Sequence, residues 1–180
     1  MPTAPLKTHT SSVNVLRQQN WTEEDLREKG FHYFEPIKRR VMARLITEET
    51  KIEVTLEVLT AGVGDIVIYM PGDEYHEDVE EYEHWPVQRD LFRRTYKPWN
   101  EKFTPSKIDQ QLIIHGCRPY YKHVGIWALK LPFGIYMQSL ESPEPVLVTA
   151  GRWLCIGSEG EPYHMSDDNL RARYIVPSQV

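Results

Sequence analysis

The amino-acid sequence predicts an α+β, strand-rich fold: a tandem repeat of two small antiparallel sheet or partly open barrel units, each with a short helix. Two observations lead to this prediction. Apolar, β-branched runs of strand length outnumber the helix signals. A glycine turn, a strand, a hairpin and a Phe/Leu-x-x-x-Tyr segment also occur twice, in residues 64–96 and 151–174.

The spacing of the matched residues supports the repeat. Tyr96 and Tyr174 are 78 positions apart, whereas Gly64 and Gly151 are 87 positions apart. The difference, 87 minus 78, predicts an insertion of nine residues in the first copy, at residues 73–81. The alternative explanation is two unrelated β-hairpins that share similar turn residues.

The repeat divides the chain into four segments. Prolines and a Thr/Ser cluster predict a flexible tail at the N-terminus. Units of this size bury thin cores, so we expect the two units to pack together. The predicted segments are the tail at 1–19, unit 1 at 20–98 with its acidic insertion at 73–81, a linker at 99–105, and unit 2 at 106–180.

Unit 1 begins with a helix signal at residues 22–30. Thr22 is a good N-cap, acidic residues fill the first turn, and Gly30 suits the left-handed position at the end. Residues 52–59 alternate apolar side chains with Glu or Thr, which predicts one half-buried strand. A glycine-rich turn at 60–64 then precedes a short β-branched strand.

The segment after this strand predicts a short helix that closes the end of its sheet. Phe92 and Tyr96 are four residues apart, which places them on one face of a helical turn. We expect Asp90 to cap that turn. The second copy repeats the pattern with Asp168, Leu170 and Tyr174.

Unit 2 carries the corresponding signals. A helix is predicted from residue 105 to Gly116. Cys155 lies in an apolar strand, which predicts a small buried side chain. The strands are predicted at 126–131, 134–140, 146–148 and 152–156, with a hairpin turn at 157–160.

Composition restricts the functional class. The net charge of −5 disfavours a general nucleic-acid binder. No apolar run approaches the ~18 residues of a membrane span, and residues 1–12 lack the apolar core of a secretory signal. Cys117 and Cys155 do not make a disulfide framework. We therefore predict a soluble, cytoplasmic protein without membrane contact.

No catalytic or cofactor motif occurs in the sequence. The nucleophile elbow, the P-loop, the dinucleotide fingerprint and the Cys-x-x-Cys pair are all missing. His76 and His84, among the carboxylates of the insertion, are the best metal candidates, but their spacing is not diagnostic. We predict no cofactor, no metal site and no catalytic residue, and lean against an enzyme.

Unit 1 contains a Gly64-Asp65-Ile66-Val67 strand, followed later by a segment with Asp90, Phe92, Thr95 and Tyr96. In this pattern it resembles a group of small uncharacterised phage and bacterial proteins. These carry a Pro-Gly-Asp-Tyr-Ile-Val strand followed by an Asp-x-Phe-x-x-Thr-Tyr tail. The resemblance implies a related fold and no particular reaction. The second copy departs from the pattern, because Arg152 replaces the aspartate. The matching residues are Gly64, Asp65, Ile66, Val67, Trp85, Pro86, Val87, Asp90, Phe92, Thr95 and Tyr96.

We predict a non-catalytic adaptor or regulatory protein that acts through protein–protein contacts. The acidic insertion is the main difference between the copies, and loops on rigid scaffolds often carry recognition. An acidic loop suits a partner with a basic surface. The predicted contact residues are Tyr75, His76, Glu77, Glu80, Glu81, Tyr82, Trp85, Arg93 and Arg94.

Two alternatives stay open. The first is a small enzyme or nucleotide-binding protein that uses a cleft between the repeats. A pocket where His123, His164 or Arg93 converge would favour it. The second is nucleic-acid binding through the cations Arg89, Arg93, Arg94 and Lys97.

Overall fold

The computed structural model describes residues 14–54 and 56–180. Strands predominate in this part of the chain. In chain order the elements are β1 (Val15–Leu16), α1 (Glu23–Glu28), β2 (His32–Phe34), β3 (Val41–Leu45), β4 (Thr50–Val54), β5 (Glu57–Ala61), β6 (Ile66–Tyr69), a 3₁₀ helix (Val79–Glu81), β7 (His84–Val87), α2 (Arg89–Thr95), β8 (Tyr96–Pro98), α3 (Lys107–Ile114), β9 (Arg118–Lys122), β10 (Ile126–Lys130), β11 (Ile135–Met137), β12 (Val146–Val148), β13 (Trp153–Ile156), β14 (Pro162–Met165) and α4 (Asp167–Arg173).

The strands form several small sheets, so the α+β, strand-rich fold is confirmed. A five-stranded sheet has the order β7-β6-β3-β9-β8, and a four-stranded sheet has the order β14-β13-β10-β2. A three-stranded sheet, β1-β11-β12, and the β4–β5 hairpin complete the set in the described residues. Nearly all pairs are antiparallel, and no sheet of the described residues closes into a barrel.

The two larger sheets combine strands from both halves of the chain. In the five-stranded sheet β9, which follows α3, pairs with β3 and β8. In the four-stranded sheet β2, which follows α1, pairs with β10. Beyond β2, Tyr174 forms an antiparallel bridge with Pro36. Backbone hydrogen bonds therefore join the two halves directly.

The helices predicted at residues 22–30 and from residue 105 to Gly116 are confirmed as α1 and α3. The Thr22 side chain accepts a hydrogen bond from the backbone N–H of Asp25, and Gly30 follows the helix with a φ of +90°. Ser106 and Asp109 form a reciprocal capping box at the start of α3. Each cap satisfies backbone groups that the first helical turn leaves without a partner.

The short helices α2 and α4 bury one apolar residue each. Phe92 is 6% exposed and Leu170 is fully buried, as the closing-helix prediction requires. The predicted capping role of Asp90 and Asp168 is wrong, because the N-cap positions lie two residues earlier. Ser166 caps α4, while both aspartates sit in the first turn, where they face the positive end of the helix dipole.

Residues 52–59 do not form the single strand that their alternation predicted. They form parts of β4 and β5, which pair antiparallel with Val54 opposite Glu57. Leu56, between these two strands, has a φ of +74°, a conformation in which glycine or asparagine is usual. The apolar alternation continues through this turn, so periodicity alone gave no sign of it.

The predicted N-terminal tail is ordered at its end. Val15 and Leu16 form β1, which pairs in parallel with β11, and the backbone N–H of Gln138 donates to the Leu16 carbonyl. The backbone N–H of Gln19 donates to the Gly160 carbonyl. The remainder of the tail, residues 1–13, lies outside the described residues.

The buried residues group into clusters under each larger sheet. Trp153, Cys155, Leu170 and Tyr174 share one cluster, which includes the predicted burial of Cys155. Cys155 is fully buried, which raises the pKa of its thiol to about 12 and keeps it protonated. No helix of the described residues is long and apolar enough to cross a membrane.

Candidate ligand-binding cleft

Side chains from both larger sheets line a cleft of about 610 Å³. One wall consists of residues 80–87, and the facing wall includes residues 161–165 on and beside β14. The β4–β5 hairpin and the loop that carries Ser139 and Glu141 add to the lining. Seven glutamates line the cleft, against four Arg or Lys residues, so its lining is acidic.

Three charged and polar side chains, two of them buried, lie together in this cleft. Glu57 begins β5, His164 lies on β14, and Arg152 directly precedes β13. Only 5% of the Glu57 side chain and 4% of the His164 side chain are exposed, and Glu57 Oε1 lies 3.6 Å from His164 Nε2. Arg152 Nε donates to His164 Nδ1 at 3.1 Å. This bond requires the tautomer in which His164 carries its hydrogen on Nε2, facing Glu57.

The cleft also concentrates polar atoms that have no partner. Five buried side-chain nitrogen or oxygen atoms in the described residues lack a hydrogen-bond partner. Three of them, Glu57 Oε2, Ser139 Oγ and Arg173 Nε, belong to residues that line the cleft. Because buried polar groups are nearly always hydrogen-bonded in folded proteins, each of these atoms calls for a partner that the described side chains do not supply.

Lys122 lies on the cleft wall formed by β9 without a carboxylate partner. No carboxylate of the described residues forms an ion pair with it. Its Nζ donates to the hydroxyl of Tyr174 and, at 3.4 Å, to the hydroxyl of Tyr163. Burial lowers the pKa of the Lys122 ammonium and raises the pKa of both phenols. The two tyrosines therefore stay protonated and act as neutral hydrogen-bonding groups.

Glu141 is the cleft carboxyl with the most altered acidity. Burial raises its pKa from the ordinary 4.5 to about 7, with further increases from the nearby carboxylates of Asp65 and Glu161. Backbone hydrogen bonds act in the opposite direction and do not compensate. The carboxyl thus changes its charge near neutral pH, inside the cleft lining.

Glu141→Gln is expected to stabilise the protein above pH 7 and not in acid. The folded state holds the Glu141 proton more tightly than the unfolded state, so its contribution is complete below pH 4.5 and is lost as pH rises through about 7. Glutamine mimics the protonated form, and the full difference corresponds to about 3 kcal/mol. Urea unfolding of both proteins from pH 4.5 to 8 measures it. A difference that does not grow with pH would contradict the burial of this carboxyl.

The acidic insertion is packed against the protein rather than projecting from it. Val79 and Tyr82 are 6% and 3% exposed and share a core cluster with Leu112 of α3. The Tyr82 hydroxyl donates to the side chain of Gln111, whose amide donates in turn to the His76 carbonyl. The insertion and the residue after it are therefore anchored in the core through Val79 and Tyr82.

Glu80 fixes the insertion to the five-stranded sheet. Its carboxylate accepts hydrogen bonds from the Tyr69 hydroxyl at 3.0 Å and from Arg44 Nη2 at 3.2 Å. The other carboxylate oxygen lies 3.1 Å from His84 Nε2. These contacts hold residues 80–87 in place as a wall of the cleft.

The predicted contact residues fall into two sets. Glu80, Glu81, Tyr82 and Trp85 line the cleft, and the ring of Trp85 lies under the Arg173 guanidinium at 4.5 Å. The others lie outside the lining. Tyr75 and Glu77 are exposed, His76 lies 3.0 Å from Glu81, and Arg93 and Arg94 are exposed on α2.

The four cations of the predicted nucleic-acid site lie outside the cleft lining. Arg89, Arg93, Arg94 and Lys97 are all exposed, and none of them is part of the lining. Arg94 pairs with Glu159 at 2.6 Å, which ties one cation to the hairpin turn before β14. Of the residues whose convergence would favour a cleft function, His164 is present, whereas His123 and Arg93 are not.

Several cleft residues carried no signal in the sequence. Glu57, Lys122, Arg152 and Glu141 come from four separate stretches, and only the pairing of strands between the two halves brings them together. Glu57 also lies within residues 52–59, for which the sequence predicted one continuous strand. No group of three His, Cys, Asp or Glu side chains in the described residues is placed to hold a metal ion.

No protein-family model, curated protein or solved structure matches this chain. The geometry of the cleft is therefore the basis for a functional assignment.

Proposed function

We propose that the protein binds a small polar molecule in the cleft between its two larger sheets. The observation that carries this proposal is the buried Glu57 carboxylate, which has one oxygen without a partner beside His164 and Arg152. A volume of about 610 Å³ falls in the ordinary range for small-molecule sites. A few polar groups placed in a concave lining are what fixes a ligand's orientation.

The same geometry supports ligand binding better than it supports the adaptor function. The predicted recognition loop contributes Glu80 and Glu81 to the cleft lining, and the buried Tyr82 follows it directly. Its exposed part, with Tyr75 and Glu77, supports a protein contact as the second candidate. For nucleic-acid binding, the supporting observation is that Arg89, Arg93, Arg94 and Lys97 are exposed.

We also propose that the chain is a tandem repeat with units at 20–98 and 106–180. The order β7-β6-β3 in one sheet matches β14-β13-β10 in the other, and α2 and α4 follow β7 and β14 in the same way. Each sheet then receives the strand that follows the first helix of the other unit, β9 or β2. On this proposal the cleft lies between the two copies.

Fragment screening by NMR tests the cleft proposal. The ¹⁵N-labelled protein is titrated with a mixed library of cationic, neutral and anionic fragments. We expect fragments that bind to shift the amide signals of residues 80–87 and 157–165. The three-stranded sheet, with β11 and β12 outside the lining, serves as the internal control. Fragments that shift only signals away from the cleft, or none at all, would contradict the proposal.

A further inference from the structure

We infer that the ligand presents an N–H-bearing cation, such as an alkylguanidinium or alkylammonium group, to the carboxylate of Glu57. This inference rests on the proposed function of the cleft and adds the chemical class of its ligand.

The first support is the incomplete hydrogen bonding of Glu57. Its side chain is 5% exposed, yet Oε2 has no partner in the described residues. Its other oxygen faces His164 Nε2 at 3.6 Å, which is too long for a hydrogen bond. A buried carboxylate needs donors to offset the loss of water. A ligand N–H group placed at Oε2 supplies them.

The second support is that the neighbours of Glu57 cannot supply those donors. Arg152 directs its Nε–H to His164 Nδ1 and so fixes the ring, whose single remaining hydrogen points towards Glu57. His164 therefore offers one donor at most, while an ionised carboxylate has about four acceptor sites. Arg152 and His164 therefore leave acceptor sites of the Glu57 carboxylate open.

The third support is the charge of the lining. Seven glutamates line the cleft against Arg39, Lys122, Arg152 and Arg173. Arg173 is paired with Glu83, and Glu80 is paired with Arg44, so the glutamates that remain in the lining still outnumber the remaining cations. An acidic, partly enclosed lining raises the local concentration of cations and opposes anions. The acidic lining and the unpartnered Oε2 of Glu57 thus both favour a cation that carries N–H groups.

The test compares four probes that share one alkyl chain. Butylguanidinium, butylammonium, butyramide and butyrate are titrated into the ¹⁵N-labelled full chain, and Kd is obtained from amide shifts of residues 157–165. The titrations are repeated with Glu57→Gln, which keeps the side-chain shape and removes the charge. Glu49→Gln is the matched control, because Glu49 is exposed and lies outside the lining. This substitution changes the net charge by the same amount as Glu57→Gln.

We expect at least one of the two cations to bind in the cleft, and Glu57→Gln to weaken it about tenfold or more, as loss of a charge-assisted hydrogen bond does. Glu49→Gln should leave that Kd unchanged. Butyramide or butyrate binding the cleft as tightly as the cations, or a cation Kd unaffected by Glu57→Gln, would overturn the inference and leave the cleft proposal standing. If no probe or library fragment shifts the cleft signals, both proposals fail.

Discussion

Phe92→Ala is expected to destabilise the protein by about 3–5 kcal/mol, as truncation of a buried aromatic side chain usually does. The Phe92 ring is 6% exposed and stacks on Tyr96 at a centroid distance of 5.0 Å. It also meets the edge of Tyr120, on β9, at 4.9 Å. Since the typical stability of a domain is ~5–15 kcal/mol, this loss removes a large part of it. Chemical denaturation followed by circular dichroism measures the change.

The matched control is Phe133→Ala, because Phe133 is 67% exposed. Its free energy of unfolding should stay close to that of the natural protein. Tyr120 belongs to the second half of the chain, and β9 pairs with β3 of the first half. We therefore expect one unfolding transition for both halves in Phe92→Ala. Natural stability in this variant would show that the α2 helix does not close the sheet.

Deletion of residues 73–81 is expected to destabilise the protein by about as much as Phe92→Ala. Removing an exposed surface loop would cost little, since loop length changes the closure entropy only slightly. The deletion removes the buried Val79 and the Glu80 carboxylate that binds Arg44 and Tyr69. Loss of core volume and of a polar network are both among the changes with large effects on stability. Thermal and urea unfolding measure the result.

Tyr75→Ala is the control for this deletion, because it changes the same segment at an exposed position. Tyr75 is 39% exposed and contacts Lys107 through its ring face. Its removal should lower stability by less than about 1 kcal/mol. A deletion variant that melts with the natural protein would mean that residues 73–81 form a loop independent of the core.

The local elements of this fold could be predicted from the sequence because their signals are local. Thr22 and Ser106 mark the starts of α1 and α3, and a glycine follows the end of each helix. The four-residue spacing of Phe92 and Tyr96 indicated their shared packing. Each of these features depends on side chains within a few positions of one another, so one stretch of sequence contains all the information.

The cleft could not be predicted because it depends on pairing between distant strands. Glu57 and His164 are more than a hundred residues apart in the chain, and their contact requires the hairpin turn at Leu56 and the pairing of β13 with β14. Leu56 gave no turn signal, since its residue type is unusual at a φ of +74°. The pairing of β9 with β3 and of β2 with β10 likewise leaves no mark on the periodicity of β2 or β9.

The melting temperature of Glu57→Gln without any ligand tests the central claim most directly. If Glu57 is kept for binding, the free protein contains a buried carboxylate that its own side chains satisfy only in part. A neutral side chain of the same shape removes that penalty, so we expect the melting temperature to rise by a few degrees, the shift that ~1 kcal/mol gives in a chain of this size. A clear fall would instead show that Glu57 stabilises the fold through His164, and would contradict a ligand site at this carboxylate.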